Sequence, residues 1–165
     1  MDVESIKQVS STYNMTLSTI SKVAGPVTPS RAFGWPVVAT HGIADAPKID
    51  LLMVPGGISH GNETWMFEYI ANVFDQTDVV ASICTGANSL ARAGVLDGRR
   101  ATTNKRGWKD NIMAGNNVTW VPTARYVRDG KIWTSSGVAA GKWCENCSLC
   151  PAFRGDSERL LGCWI

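Results

Sequence analysis

The chain has 165 residues, enough to bury one hydrophobic core and too few for two domains of ordinary size. With 44% hydrophobic and 18% charged residues, a net charge of +2 and its charges dispersed, it is neither a disordered polyelectrolyte nor a basic nucleic-acid-binding chain. No apolar run approaches the roughly 18 residues of a membrane span, and the opening MDVESIKQVS lacks the apolar core of a signal peptide, which predicts a cytoplasmic or nuclear protein without a membrane partner.

In chain order, the partly alternating, β-prone run at 15–21 predicts a strand that Ala24-Gly25-Pro26 ends. A short strand is expected at 36–39. The continuous apolar run at 49–54, closed by Pro55-Gly56-Gly57, suits a strand covered on both faces, as in a parallel sheet. From 64 to 75, Trp65, Met66, Tyr69, Ile70, Val73 and Phe74 recur at helical spacing, with Asn62 or Thr64 available as a cap. A strand at 79–83 and a short helix at 87–93, stopped by Gly94, complete a strand–helix alternation that is the signature of an α/β fold. Further on, a brief strand is expected at 101–103, a helix at 105–113, and strands at 118–121, 125–128 and 131–134. An Asp129-Gly130 turn would join the last two as a hairpin.

After Gly141 the patterning is lost. We read residues 1–141 as the α/β domain and residues 142–165 as a divergent Cys/Trp-containing tail that is not a separate domain. The five cysteines are odd in number, and Cys84 stands far from the four between Cys144 and Cys163, so thiols are expected rather than a disulfide framework.

The chemistry gathers at Cys84. Ser82-Ile83-Cys84-Thr85-Gly86 has the small-x-nucleophile-x-small layout of a nucleophile elbow, in which tight strand-to-helix packing needs small residues two positions either side. A cysteine at that turn lies beside a helix N-terminus, which favours thiolate over thiol. A lone cysteine in an apolar run is ordinarily a buried, inert residue; the flanking Thr85-Gly86 and the preceding strand argue for a nucleophile instead. Pro55-Gly56-Gly57 should end the neighbouring strand on the same edge, and the Gly57 N–H is a candidate oxyanion donor, an ordinary turn being the alternative. Of the two histidines, His60 lies near that edge, where it could deprotonate a thiol or bind a substrate; a solvated loop histidine is the alternative. Asp50 and Glu63 have ordinary surface explanations at element boundaries.

Together, IDLLMVPGG, SICTGANSLARAGVLDGRRATTN and RYVRDGKIWTSSGVAAG resemble the ThiJ/PfpI superfamily, with its class I glutamine amidotransferase-like fold, from about Met15 to Gly141. The similarity is greatest to the isocyanide-hydratase-like branch, which also resembles ligand-binding domains of AraC-type regulators. The resemblance implies a flavodoxin-like three-layer α/β sandwich with a mostly parallel sheet, a homodimer, and a small-molecule substrate or ligand. It implies Cys84, Thr85 and Gly57 as the catalytic group, Gly56, His60 and Gly86 as substrate-lining positions, and neither a metal nor an organic cofactor. Where some members read Ala-Thr-Thr-His-Trp, this chain has Ala101-Thr102-Thr103-Asn104-Lys105, which we expect to remove one polar group from the pocket.

Two departures from the family pattern stand out. Members open with an apolar first strand leading to a carboxylate that hydrogen-bonds the cysteine, and the opening MDVESIKQVS is expected to lie downstream of both. Because that strand is central in a flavodoxin-like order, its loss predicts a gap inside the sheet, unless residues 3–9 or a partner chain fill it. Members also continue past Gly-Val-Ala-Ala-Gly into an acidic residue and a long covering helix; here Lys142-Trp143-Cys144 follows, so the final helix is expected to be missing. Cys144, Cys147 and Cys150 are spaced like part of a ferredoxin motif or zinc knuckle, but Cys163 is distant and no histidine is near, and we read the tail as a splicing or gene-boundary product rather than a metal site. Three functions are compatible with these features: a cysteine-dependent hydratase, lyase or hydrolase of small electrophiles such as isocyanides or ketoaldehydes; a non-catalytic ligand-binding or redox-sensing module; and an inactive truncated relative.

Overall fold

Apolar runs without alternation are the strongest local signal in the chain, and they become the centre of the sheet. The computed structural model describes residues 15–28, 36–57, 63–137, 140 and 159–164. The strands are β1 (Met15–Ser21), β2 (Gly25–Val27), β3 (Val37–Ala39), β4 (His41–Gly42), β5 (Leu51–Val54), β6 (Val79–Ile83), β7 (Arg100–Ala101), β8 (Thr119–Trp120), β9 (Tyr126–Asp129), β10 (Ile132–Ser135) and β11 (Arg159–Trp164). Between them the described residues include the helices α1 (Thr64–Phe74), α2 (Gly86–Arg92) and α3 (Trp108–Ile112).

The main sheet has seven strands in the order β4-β1-β11-β5-β6-β10-β9. Every pairing in it is parallel except the β9–β10 hairpin at the edge. Two small ribbons, β2–β3 and β7–β8, lie outside it. β5 and β6 are buried at every position, as strands covered on both faces must be. Their side chains alternate between two clusters. Leu52, Val54, Val80 and Ile132 pack with Ile70 of α1 and with Leu90 and Ala91 of α2. Leu51, Met53, Val79, Ala81, Ile83 and Trp133 form the other, with Leu17 and Cys84 against it and no described helix taking part. Ile70 is fully buried and seats α1 on the sheet; truncation to alanine at such a position costs about 2–5 kcal/mol.

The fold is the flavodoxin-like α/β arrangement that the sequence resemblance implied, with two differences of detail. The hairpin turns one residue later than expected: Asp129 is still paired with Ile132, so Gly130-Lys131 forms the loop, and Gly130 supplies the positive φ of +60° that a tight hairpin needs. The expected gap in the sheet is closed by β11. Its residues pair with β1 from Met15↔Arg159 to Ile20↔Trp164 and with β5 from Leu51↔Leu161 to Met53↔Cys163. Residues 3–9, the other candidate filler, lie outside the described residues, as do Cys144, Cys147 and Cys150. No helix among the described residues is long and apolar enough to cross a membrane.

Candidate active site

Parallel strands β5, β6 and β10 end at one edge, and the chain reverses there directly into α2. Cys84 makes that reversal with φ +59°, the one non-glycine residue with positive φ among those described. A side chain in that region costs of the order of 1–3 kcal/mol and persists only where its surroundings hold it. Three contacts do so. The Cys84 N–H donates to the Ser135 carbonyl at 3.0 Å, the Thr103 hydroxyl donates to the Cys84 carbonyl at 3.0 Å, and the Asn104 side-chain amide donates to Cys84 Sγ at 2.9 Å. The thiol itself is free and half-buried.

The spacing of small residues has a visible cause. A Cβ on Gly86 would overlap the Val54 carbonyl oxygen and come within 2.9 Å of the Pro55 carbonyl oxygen, so α2 can begin against β5 only with glycine there. At Gly56 a Cβ would lie 2.7 Å from Cys84 Cβ and 3.2 Å from the Thr85 nitrogen. Gly56 therefore keeps the space beside Cys84 Cβ and the Thr85 amide clear. Ser82, the small residue two positions before Cys84, is buried.

Thr85 ties the two strand ends together. Its hydroxyl donates to the Gly57 carbonyl at 2.7 Å and accepts the Gly57 N–H at 2.8 Å. The Gly57 amide, proposed from sequence as an oxyanion donor, is thus already bonded in the resting site. Cys84, Thr85, Gly56, Gly57 and Gly86 converge, whereas His60 lies outside the described residues. His41 is removed from the site: it sits on β4, with β1, β11 and β5 between it and β6, and its Nδ1 lies 2.9 Å from Thr40 Oγ1.

Sequence reasoning missed the residues after β7. Asn104 does not empty the pocket of polarity; it puts an amide on the sulfur. Its Oδ1 accepts the Gly107 N–H at 2.9 Å, and Asn111 Nδ2 in turn donates to the Gly107 carbonyl at 2.7 Å, which braces the turn leading into α3. Thr102, fully buried, is a second node: its N–H donates to Thr134 Oγ1, and its hydroxyl bonds the Val121 carbonyl and receives Lys105 Nζ at 2.7 Å. Lys105 also lies 4.5 Å from the Trp108 ring centre, and desolvation holds its ammonium below the usual lysine value. Asn104-x-x-Gly107 ahead of a helix is the local signal that could have flagged this turn.

Known proteins resemble this chain in sequence and fold. The chain is 34% identical over 119 residues to an isonitrile hydratase of Pseudomonas putida, which covers 70% of this chain and 50% of that protein. It is also 34% identical over 119 residues to a deglycase of Pyrococcus horikoshii, covering 70% of this chain and 69% of the deglycase. The chain thus spans about half the length of the hydratase. Among solved structures, a ThiJ/PfpI family protein from Pseudomonas syringae matches with a TM-score of 0.61 and 25% identity, over 86% of this chain and 64% of that one. A DJ-1 superfamily protein from Agrobacterium tumefaciens shares the fold with a TM-score of 0.71, at 22% identity, over 93% of this chain and 84% of that one. The family model for DJ-1/PfpI matches residues 2–147. On that match the chain belongs to the DJ-1/PfpI family.

Proposed function

We propose that this protein is a cysteine-dependent catalyst acting on small electrophiles of the isocyanide or ketoaldehyde type, with Cys84 as nucleophile. The observation that carries this reading is the strained elbow at Cys84, held on all sides and with a hydrogen-bond donor on its sulfur. Strain of this kind collects where geometry serves chemistry. The names of its relatives, isonitrile hydratase and deglycase, support the substrate class.

For an isocyanide, the sulfur lone pair forms a C–S bond at the terminal carbon, and a proton from solvent completes a thioimidate. Addition of water and expulsion of the thiolate then release the N-substituted formamide, so that isocyanide and water are the only reactants consumed. For an aldehyde carbon, the same attack moves the carbonyl electron pair onto oxygen. Thr85 and the Gly57 amide would steady that charge, once the Thr85 hydroxyl turns from the amide it now holds. Gly56 and Gly86 shape the approach to the sulfur, and His60 is retained as a substrate-side group. Family likeness also supports a homodimer acting in the cytoplasm; light scattering should then give twice the monomer mass.

The test is turnover of a small alkyl isocyanide and of methylglyoxal by the wild type and by Cys84→Ser. Product formation that disappears in the variant is expected; turnover that survives it would refute the reading. One observation supports a second reading, a ligand-binding or redox-sensing module: the Gly57 N–H, the candidate oxyanion donor, is engaged by Thr85 at 2.8 Å. Reversible oxidation of Cys84 without turnover of either substrate would support it.

A further inference from the structure

The amide of Asn104 can face the sulfur in one way only. Its oxygen is committed to a backbone N–H, that of Gly107, which can only donate; the nitrogen end is therefore the end that meets Cys84 Sγ at 2.9 Å. A thiol is a weak acceptor and a thiolate a strong one, so a fixed donor at that distance lowers the free energy of the charged sulfur far more than that of the neutral one. The bracing extends outward. Gly107 is held through its carbonyl by Asn111, a buried side chain, and Thr103, next to Asn104, is bonded to the Cys84 carbonyl. The donor is thus positioned from both sides by groups that do not themselves touch the sulfur.

We propose that Asn104 is a catalytic hydrogen-bond donor that aims the Cys84 sulfur and supports the charge it carries in attack. This rests on the reading of Cys84 as nucleophile and names the group that activates it.

Asn104→Asp is the decisive variant, because a carboxylate keeps the shape and still accepts the Gly107 N–H, while an acceptor replaces the donor facing the sulfur. The rate of Cys84 alkylation by iodoacetamide, read by peptide mass spectrometry from pH 5 to 9, should fall at least about tenfold near pH 6.5, as expected for a lost hydrogen bond to a charged group. Asn104→Ser, too short to reach the sulfur, should show the same loss and guards against an unfolded Asp variant, with thermal unfolding as the check on both. A profile that superimposes on the wild type in a folded variant would overturn the proposal. Because alkylation is read apart from turnover, a protein that turns over no substrate yet loses alkylation in Asn104→Asp would sink the proposed function and leave this role standing.

The interior of the sheet carries a second, independent inference. β11 begins 24 residues after β10 ends, yet it lies third in the sheet, paired to β1 along its whole length and to β5 over three residues. β5 leads straight into Pro55-Gly56-Gly57, so what flanks β5 also fixes that turn. We infer that residues 159–164 belong to the same folding unit as the rest of the sheet and hold the glycine turn beside Cys84. In amide hydrogen exchange on the full chain, residues 160–163 should be protected to the same degree as 51–53. Leu161→Pro, which removes a ladder donor from an interior strand, should speed exchange at 51–53. Exchange of 160–163 at the rate of an unstructured peptide, or β5 protection unchanged in Leu161→Pro, would overturn it.

Discussion

Replacing Gly86 with alanine asks whether the elbow is held by close approach of α2 to β5. The new methyl would overlap the Val54 carbonyl oxygen and lie 2.9 Å from the Pro55 carbonyl oxygen and 3.0 Å from the Val54 carbonyl carbon. Non-bonded heavy atoms reach their optimum near about 3.5–4.0 Å, so the helix start must withdraw by about 1 Å. Both neighbours are backbone and cannot rotate away. Overpacking of this kind costs about 1–3 kcal/mol. The shift also pulls Thr85 from Gly57, where two hydrogen bonds of 2.7 and 2.8 Å are made, each worth about 1 kcal/mol. Against this, alanine is favoured over glycine within a helix by about 1 kcal/mol. The net is a loss of about 2–4 kcal/mol, a large share of the roughly 5–15 kcal/mol that holds a domain together. Urea unfolding followed by tryptophan fluorescence measures it. An ordinary helix position would give the opposite sign, so a variant equal to or more stable than the wild type refutes the close-approach account.

Thr85→Val should cost about 1–3 kcal/mol, because it leaves the Gly57 N–H and carbonyl without their partner while keeping the side chain's shape; Thr85→Ser should recover most of it in the same unfolding assay. Thr102→Val removes the hydroxyl that receives Lys105 and bonds the Val121 carbonyl in a fully buried position. A loss of about 1–3 kcal/mol is expected, and a change under about 0.5 kcal/mol, the range of ordinary surface substitutions, would refute its place as a structural node. Lys105, with its ammonium value lowered by desolvation, binds its proton less tightly folded than unfolded. Its burial therefore weighs on stability while both states are charged, and the penalty fades as pH rises toward the ordinary lysine range. Wild type should accordingly gain on Lys105→Gln as pH rises toward the ordinary lysine value, by urea midpoints.

What the sequence revealed and what it hid follow from the range of the interactions. The strands at 51–54 and 79–83 and the helix at 64–74 were legible because burial on both faces, or on one stripe, writes a pattern into adjacent residues. The elbow was legible for the same reason: Ser82, Cys84 and Gly86 are two apart. β11 was not, because its place between β1 and β5 depends on partners more than a hundred residues away in the chain, and nothing local in Arg159–Trp164 encodes them. Asn104 was read as the loss of a histidine rather than the gain of an amide, since its aim is set by Gly107 three residues on and by the end of β7. That same turn delays the helix expected from 105 until Trp108.

Cys84, among five cysteines, is the proposed nucleophile. Brief treatment of the native protein with limiting iodoacetamide at pH 6, followed by peptide mapping, tests it most directly. Cys84 should be modified first, well before Cys144, Cys147, Cys150 or Cys163. Equal or faster labelling of those four, with Cys84 left intact, would contradict it.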